Sequence, residues 1–577
     1  MEEIEVTVQS SLSSDEKRGR FRIRVSPKIT VGDLLKLLCR EAGTSLHKDY
    51  CLRSKEHGIL VRTETLAASN VQDGTFLHWT SSGLGRKCLS WRNQYCLFAA
   101  VSILIGILGI VVFCSIRFKG GSHQQSFAIV FDAGSSHTSM FIYVWEASKL
   151  NGTAVAVQYG QKCDVDGEGL SDFEEEPDLA GESLHNCIDE AEKMIPKAEH
   201  SHTLIYLGAT AGMRLMSQTN YRAANEILES VRFTFQISPF KFVDPFKSVR
   251  IINGTEEGCF SWITSNYVTN AFKVTPPGAP GMPAYTIVPT IGAMDLGGAS
   301  TEITFVPKNI AIIPNDYRKE LQLFGHIYTV YTYSYLCYGV REVAKLMFAH
   351  LIKSQPGKTE FSHPCLPTGF RESMAYNDIV NPACYHEDLN TTAKSFIFIG
   401  TSNGDECYNS ILNTLFKIGT CEYSSCSFNG IYQPEVTGPF YAFSSFYHVS
   451  SFLNLSESFT LNEFTDAMDY LCSRTWAELQ EWPATTKQRE NLHLFCLKAN
   501  YIHTLLFQGY KFTNNLWKSI NFVEKVSLTE IGWTLGFVLN ESIDYPKGHS
   551  VELISSMIHR ADSHLCGVHP HRLDTYS

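Results

Sequence analysis

Two short stretches share one frame. Asp132-Ala-Gly-Ser-Ser-His-Thr138 and Asp295-Leu-Gly-Gly-Ala-Ser-Thr301 both read D-x-G-x-x-x-T, and each follows an apolar run of strand character. From average residue usage the frame is expected about 0.1 times in a chain of this length, so two copies at strand ends point to two related lobes. Gly134, Gly297 and Gly298 let the backbone turn tightly and approach a ligand with no Cβ in the way. Successive exposed N–H groups in such a turn make a concavity for phosphate oxygens. A carboxylate at the mouth of each turn would repel phosphate itself. Asp132 and Asp295 instead suit a hard divalent cation bridging phosphates, which they would hold directly or through water. Either turn alone reads equally well as a structural hairpin; the pair points to a cleft between lobes.

Two further stretches carry complementary chemistry. LGATAGMRL, residues 207–215, supplies Thr210 for a hydroxyl contact and Arg214 for a cationic one, in a small-residue turn after a strand. IINGTEEGCFSW, residues 251–262, holds Glu256 and Glu257 in a turn bounded by glycines. A carboxylate there is suited to take a proton from water attacking a terminal phosphorus. Taken singly, an Arg is usually a surface charge and a Glu pair a solvated face. No Walker A motif and no kinase catalytic loop occurs in the chain.

These residues must be positioned by an α/β fold. From 126 to about 545 strand-like and helix-like stretches alternate, with helices expected over 181–195 and 221–232 and strands in HTLIYLGAT and AYTIVPTIGAMDLGG. At 577 residues, 44% apolar and 19% charged, the chain is globular in composition and too long for one core. Residues 97–116, LFAAVSILIGILGIVVFCSI, are uncharged and long enough to cross a bilayer as one helix. The sequons at Asn151, Asn253, Asn390, Asn454 and Asn540 all follow that span, as do most of the 17 cysteines. They place the large part in an oxidising compartment, at the cell surface or in the Golgi lumen, with the N-terminus cytosolic. Residues 1–82 read as a small α+β unit of β-grasp, ubiquitin-like pattern, in which TVGDLLKLLCREAG carries an N-cap Thr and a terminal Gly. Residues 546–577 are a polar tail. No basic cluster marks a nucleic-acid partner, and the net charge of −11 argues the other way.

In this order the four motifs, with CSFNGIYQPEVTGPFYAFSSFYHVSSFL at 426–453, resemble the apyrase-conserved regions of the ectonucleoside triphosphate diphosphohydrolases. QGYKFTNNLW and GWTLGFVLN extend the resemblance beyond them. It implies a two-lobed, actin-like (RNase H-type) domain over 126–545 that hydrolyses ATP, ADP, UTP and UDP stepwise to monophosphates with Ca²⁺ or Mg²⁺. By resemblance Glu257 is the catalytic base and Ser300 helps hold the attacking water. Asp132 and Asp295 organise the metal through its waters. Ser135, Ser136, His137 and Thr138 form the first phosphate loop, and Gly297, Gly298, Ala299 and Ser300 the second, supported by Thr210 and Arg214. Tyr447 or His448 is the candidate to stack on the base. The resemblance also implies disulfides Cys163–Cys187, Cys337–Cys384, Cys365–Cys407, Cys421–Cys426 and Cys472–Cys496, with Cys259 and Cys566 left over. Homo-oligomers are compatible with it.

The chain departs from the family pattern in four ways. Glu302 stands where the second loop usually continues with Gln; a second membrane anchor is missing; the N-terminal unit is extra; and a glycan on Asn253 would crowd Glu257, so that site is expected to be unmodified. The alternatives are a secretory-pathway nucleoside diphosphatase acting on UDP or GDP, and an inactive adhesion domain.

Overall fold

The computed structural model describes residues 3–12, 19–81, 125–146, 149–167, 169–272, 289–416 and 421–543. The span expected at 97–116, the tail at 546–577 and Cys566 lie outside them. Among the described residues no helix is long and apolar enough to cross a membrane. The chain divides into two compact units, Met1–Lys119 and Gly120–Ser577.

In the small unit, strands Ile4–Ser10, Arg20–Val25, Tyr50–Ser54, Gly58–Ile59 and Phe76–Ser81 form one mixed sheet, with the last strand central, parallel to the first and antiparallel to Tyr50–Ser54. Helix Val31–Ala42 buries Leu34, Leu35 and Leu38. Its ends are set locally: the Thr30 side chain accepts the Asp33 N–H, and Gly43 takes the left-handed φ of 64° that closes the last turn.

The large unit is built twice on one plan. In the first sheet, strands Gln125–Ala133 and Thr138–Glu146 form an antiparallel hairpin, and Leu204–Ala209 then Val249–Ile251 add in parallel on the other side. In the second, Gly292–Leu296 and Ser300–Phe305 form the hairpin. His326–Leu336 extends it antiparallel, and Phe440–Ser444 then Ile520–Phe522 add in parallel. Each hairpin turn is one copy of the D-x-G-x-x-x-T frame. The first strand buries both faces, as its unbroken apolar run requires. Phe127, Ile129 and Phe131 face one cluster with the outer helices, while Ala128 and Val130 face another that also holds Ala293, Val330 and Phe443 of the second sheet.

Between the sheets lie helices Gly254–Val268 and Trp533–Glu541. The first is buried continuously from Glu257 to Asn266, so its lack of amphipathic period is what a middle layer demands. Gly536 lets the helices cross, since a Cβ there would run into the Phe260 carbonyl. Some helix bounds differ from expectation. The 221–232 helix continues to Ile237, and 181–195 is split into Leu179–Glu182 and His185–Met194. Gly181 packs against the Ser230 carbonyl at that break.

All five implied disulfides are present, and Cys259 is buried and free. Beside Cys365, buried His363 accepts that residue's N–H through Nδ1 at 3.2 Å, and burial pushes its pKa down to about 3. Between pH 3 and its ordinary value near 6.5, the unfolded chain binds a proton that the folded one does not. Stability therefore falls as pH falls through that window, by up to about 1.4 kcal/mol per pH unit. Denaturant unfolding of wild type and His363→Asn from pH 7.5 to 5 should give a stability difference that shrinks with acid. A difference independent of pH would refute the assignment.

Candidate active site

The middle-layer helix begins with a capping box. Asn253 Oδ1 accepts the Glu256 N–H at 2.9 Å, and Glu256 Oε2 accepts the Asn253 N–H at 3.0 Å. Arg250 grips Glu256 with two bonds of 2.9 Å. The glutamate pair is thereby divided: Glu256 closes the helix, and Glu257 projects into the layer between the sheets. Gly254 and Gly258 allow this close seating, because a Cβ would meet Ser334 at the first and Thr304 and Thr332 at the second.

Strand pairing brings the other acids to the same place. Asp295 lies opposite Glu302, and Glu302 opposite Ser334, in one row across three strands. Asp295 shares the inward face of Ala293, as Asp132 shares that of Ala128 and Val130, because side chains alternate along a strand. Carboxylate oxygens of Glu257, Asp295 and Glu302 lie within 4.8 Å of one another.

Among the described residues, Arg214 is the cation paired with this cluster. Arg214, on helix Ala211–Thr219, donates from Nη1 to Glu257 Oε2 at 2.8 Å and to the Ile252 carbonyl at 3.3 Å. Its Nη2 reaches Ser300 Oγ at 3.0 Å and Glu302 Oε1 at 3.5 Å, and Ser334 donates to the same Glu302 oxygen at 2.6 Å. Arg214, read from sequence as a cationic contact beside the phosphates, has its guanidinium engaged by side chains. Arg214 does not neutralise buried Glu257, Asp295 and Glu302 together with half-buried Asp132, on which Lys162 is only a minor opposing charge. Burial first, and the nearby Glu257 charge second, push Asp132 and Asp295 each up to about 7. Burial raises Glu257 against the opposing pull of Arg214, and raises Glu302 well above the carboxylate range. Such a cluster holds either protons or a cation.

The two turns are built alike and face each other. The Gly134 N–H donates to the His137 carbonyl and the Gly297 N–H to the Ser300 carbonyl, both at 3.0 Å. A Cβ on Gly298 would lie 2.6 Å from Ser135 Oγ, so the turns from opposite lobes touch here. Ser135 is buried, whereas Ser136 is exposed with its Oγ 3.3 Å from His137 Nδ1. Thr210 stacks its N–H on the Ala133 carbonyl at 3.0 Å beneath the first turn. Thr301 donates to the Asp295 carbonyl at 2.7 Å, but its counterpart Thr138 has a buried hydroxyl with no hydrogen-bonding partner. Ala299 is buried behind the second turn.

Three participants were not legible in the motifs. Gly339 backs the second turn, where a Cβ would strike the Gly298–Ala299 backbone. Trp533 packs over Gly208 and neighbours Asp132. Ser444 acts on the Asp295 carboxylate, opposing the rise of its pKa, and starts helix Ser445–Phe452 at φ 58°, ψ −126°, a strained conformation for a residue with a Cβ. Ser444→Gly is expected to raise stability by about 1 kcal/mol, as the strain is relieved, and to lower activity by freeing Asp295. Calorimetry with a rate assay checks both, and a destabilised variant would contradict it. Tyr447 and His448 follow on that helix, half-buried and exposed, with ring centroids 5.8 Å apart.

The GDA1/CD39 (nucleoside phosphatase) family model matches residues 119–554. The chain is 37% identical over 471 residues to mouse ectonucleoside triphosphate diphosphohydrolase 3, covering 78% of this chain and 85% of that one. It is 38% identical over 446 residues to mouse ectonucleoside triphosphate diphosphohydrolase 2, covering 76% and 86%. A crystal structure of nucleoside triphosphate hydrolases from Neospora caninum has a similar fold, with TM-score 0.56 at 15% identity, covering 79% of this chain and 99% of that one. With two matching turns and a shared acidic layer set in such a frame, the chain belongs to the GDA1/CD39 nucleoside phosphatase family.

Proposed function

We propose that the protein hydrolyses nucleoside tri- and diphosphates to monophosphates in the gap between its two glycine turns. The carrying observation is the set of buried Asp295, Glu257 and Glu302 with half-buried Asp132 around Arg214, beside two glycine turns that touch at Ser135 and Gly298. Backbone N–H groups of Ser135–Thr138 and Gly298–Ser300 would receive phosphate oxygens, the Gly297 N–H being held within its turn. Glu257 would take the proton of the attacking water, with Ser300 orienting it. Arg214 holds both groups in one arrangement, a positioning role in place of a direct phosphate contact. The all-oxygen donor set fits Ca²⁺ or Mg²⁺ held through Asp132 and Asp295. When bound, such a cation neutralises polyphosphate charge and orients the terminal phosphorus for in-line attack. Burial raises the Glu302 pKa, and its neutral form offers a donor and an acceptor where the family's Gln has its amide; Glu302→Gln is expected to keep near-full activity at neutral pH, and collapse there would overturn this role.

Tyr447 or His448 is the proposed base contact. The small unit is proposed as a β-grasp binding module. We read the chain as a single-pass membrane protein through 97–116 with the large unit extracellular or lumenal, a reading supported by its five disulfides. Phosphate release by the full chain from ATP, ADP, UTP and UDP, with and without chelator, tests the whole. Hydrolysis restricted to UDP would favour the secretory diphosphatase, and no metal-dependent release from any nucleotide would sink the proposal.

A further inference from the structure

We propose that residues 233–246 form a surface that rests on the bilayer, with Phe233, Ile237, Val243 and Phe246 in its interfacial layer. This rests on the single-pass reading above. The four side chains are 65%, 61%, 62% and 68% exposed. Single exposed apolar residues are ordinary, but four this large in so short a segment mark an interaction surface. Phe233 and Ile237 share one helix face, four residues apart. Arg232 links that helix to the following segment: its guanidinium sits 4.5 Å from the Phe246 ring centre and donates to the Pro245 carbonyl at 3.2 Å.

Strand register places the patch at the end of the sheet where the chain enters. Leu204 is level with Ala128 on one side and bridges Lys241 on the other, both in parallel. Lys241 is therefore two strand spacings, about 10 Å, across from Ala128, itself about 10 Å from Gln125. The helix Tyr221–Ile237 runs back toward this end, and Pro245–Ser248 leads into the start of strand Val249–Ile251. Residues 117–124 between the apolar span and Gln125 reach at most about 30 Å, so this end is held near the membrane. Exposed Lys241 flanks the patch, as phosphate headgroups favour, while Lys247 beside it is ion-paired with Glu541 at 2.8 Å. Asp132, Thr210 and Asn253 lie at or just beyond the opposite, finishing ends of the same strands. A patch seated on lipid would thus open the cleft toward the aqueous phase.

The test uses the full chain in phosphatidylcholine vesicles, spin-labelled at Phe246→Cys, with Tyr470→Cys as the exposed control and the labelled parent signal subtracted. Access to oxygen, concentrated in lipid, is compared with access to a water-soluble nickel chelate. The expected result is an oxygen-to-nickel ratio several-fold higher at 246 than at 470. Phe233→Ser with Ile237→Ser, both exposed positions, should lower that ratio with phosphate release unchanged. A label at 246 as open to nickel as the control overturns the proposal. Screening from both reagents, with spin–spin broadening that grows with protein density, assigns the patch to a second copy and also overturns it. A chain that fails to float with the vesicles overturns the anchor reading itself, a separate and recognisable failure.

Discussion

Glu257→Gln is expected to lower phosphate release by about 10²–10⁴-fold, the usual contribution of a positioned general base. The substitution keeps shape and an acceptor for Arg214 Nη1, which now holds Glu257 at 2.8 Å, so the guanidinium keeps a partner. It also removes one of four crowded acids, three buried and Asp132 half-buried, so the folded state should be as stable as wild type or slightly more so. A rate assay beside a thermal melt separates chemistry from folding. Full activity in a folded Glu257→Gln protein would remove Glu257 as the base. Loss of both activity and fold would instead make its role structural.

Gly339→Ala is the second large effect, and it acts at a distance from any reacting group. Gly339 has φ −77°, ψ 160°, a conformation alanine adopts freely, so no backbone penalty is involved. The difficulty is space: the added methyl would strike the backbone of Gly298 and Ala299, which cannot rotate aside as a side chain can. The second turn must shift, and that turn meets Ser135 of the first through Gly298. A displacement near 1 Å in a site of this kind costs about 10²-fold in rate. The expected result is a protein with all five disulfides, only modestly destabilised, and a rate lower by about that factor. Unchanged rates would show that the spacing of the turns is not critical to catalysis.

Some of this was readable one segment at a time. The Asp-Gly turns announce themselves because only glycine tolerates the close approach, and the preceding apolar runs because a strand buried on both faces cannot alternate. Thr30 and Gly43 mark helix ends for equally local reasons. The disulfide pairing was available only through family resemblance, since spacing admits many connectivities. Without the family resemblance, which singles out Glu257, the two adjacent glutamates are interchangeable in sequence. An N-cap three residues upstream was the available signal for Glu256 as a closing residue, and the S/T/D/N-x-x-E pattern of Asn253 to Glu256 carries it.

Taken alone, then, the amino-acid sequence determined the residue types at the site, the two turns and the alternation of strand and helix, because sterics, capping and periodicity act over a few neighbouring residues. Only the tertiary structure decided that Arg214 clasps Glu257 and Ser300, that Asp295, Glu302 and Ser334 form one row, that Gly339 braces the second turn, and that four apolar side chains stay outside the core. Those relations join residues far apart in the chain. They depend on sheet order and register, which the packing of whole layers selects and no local stretch encodes.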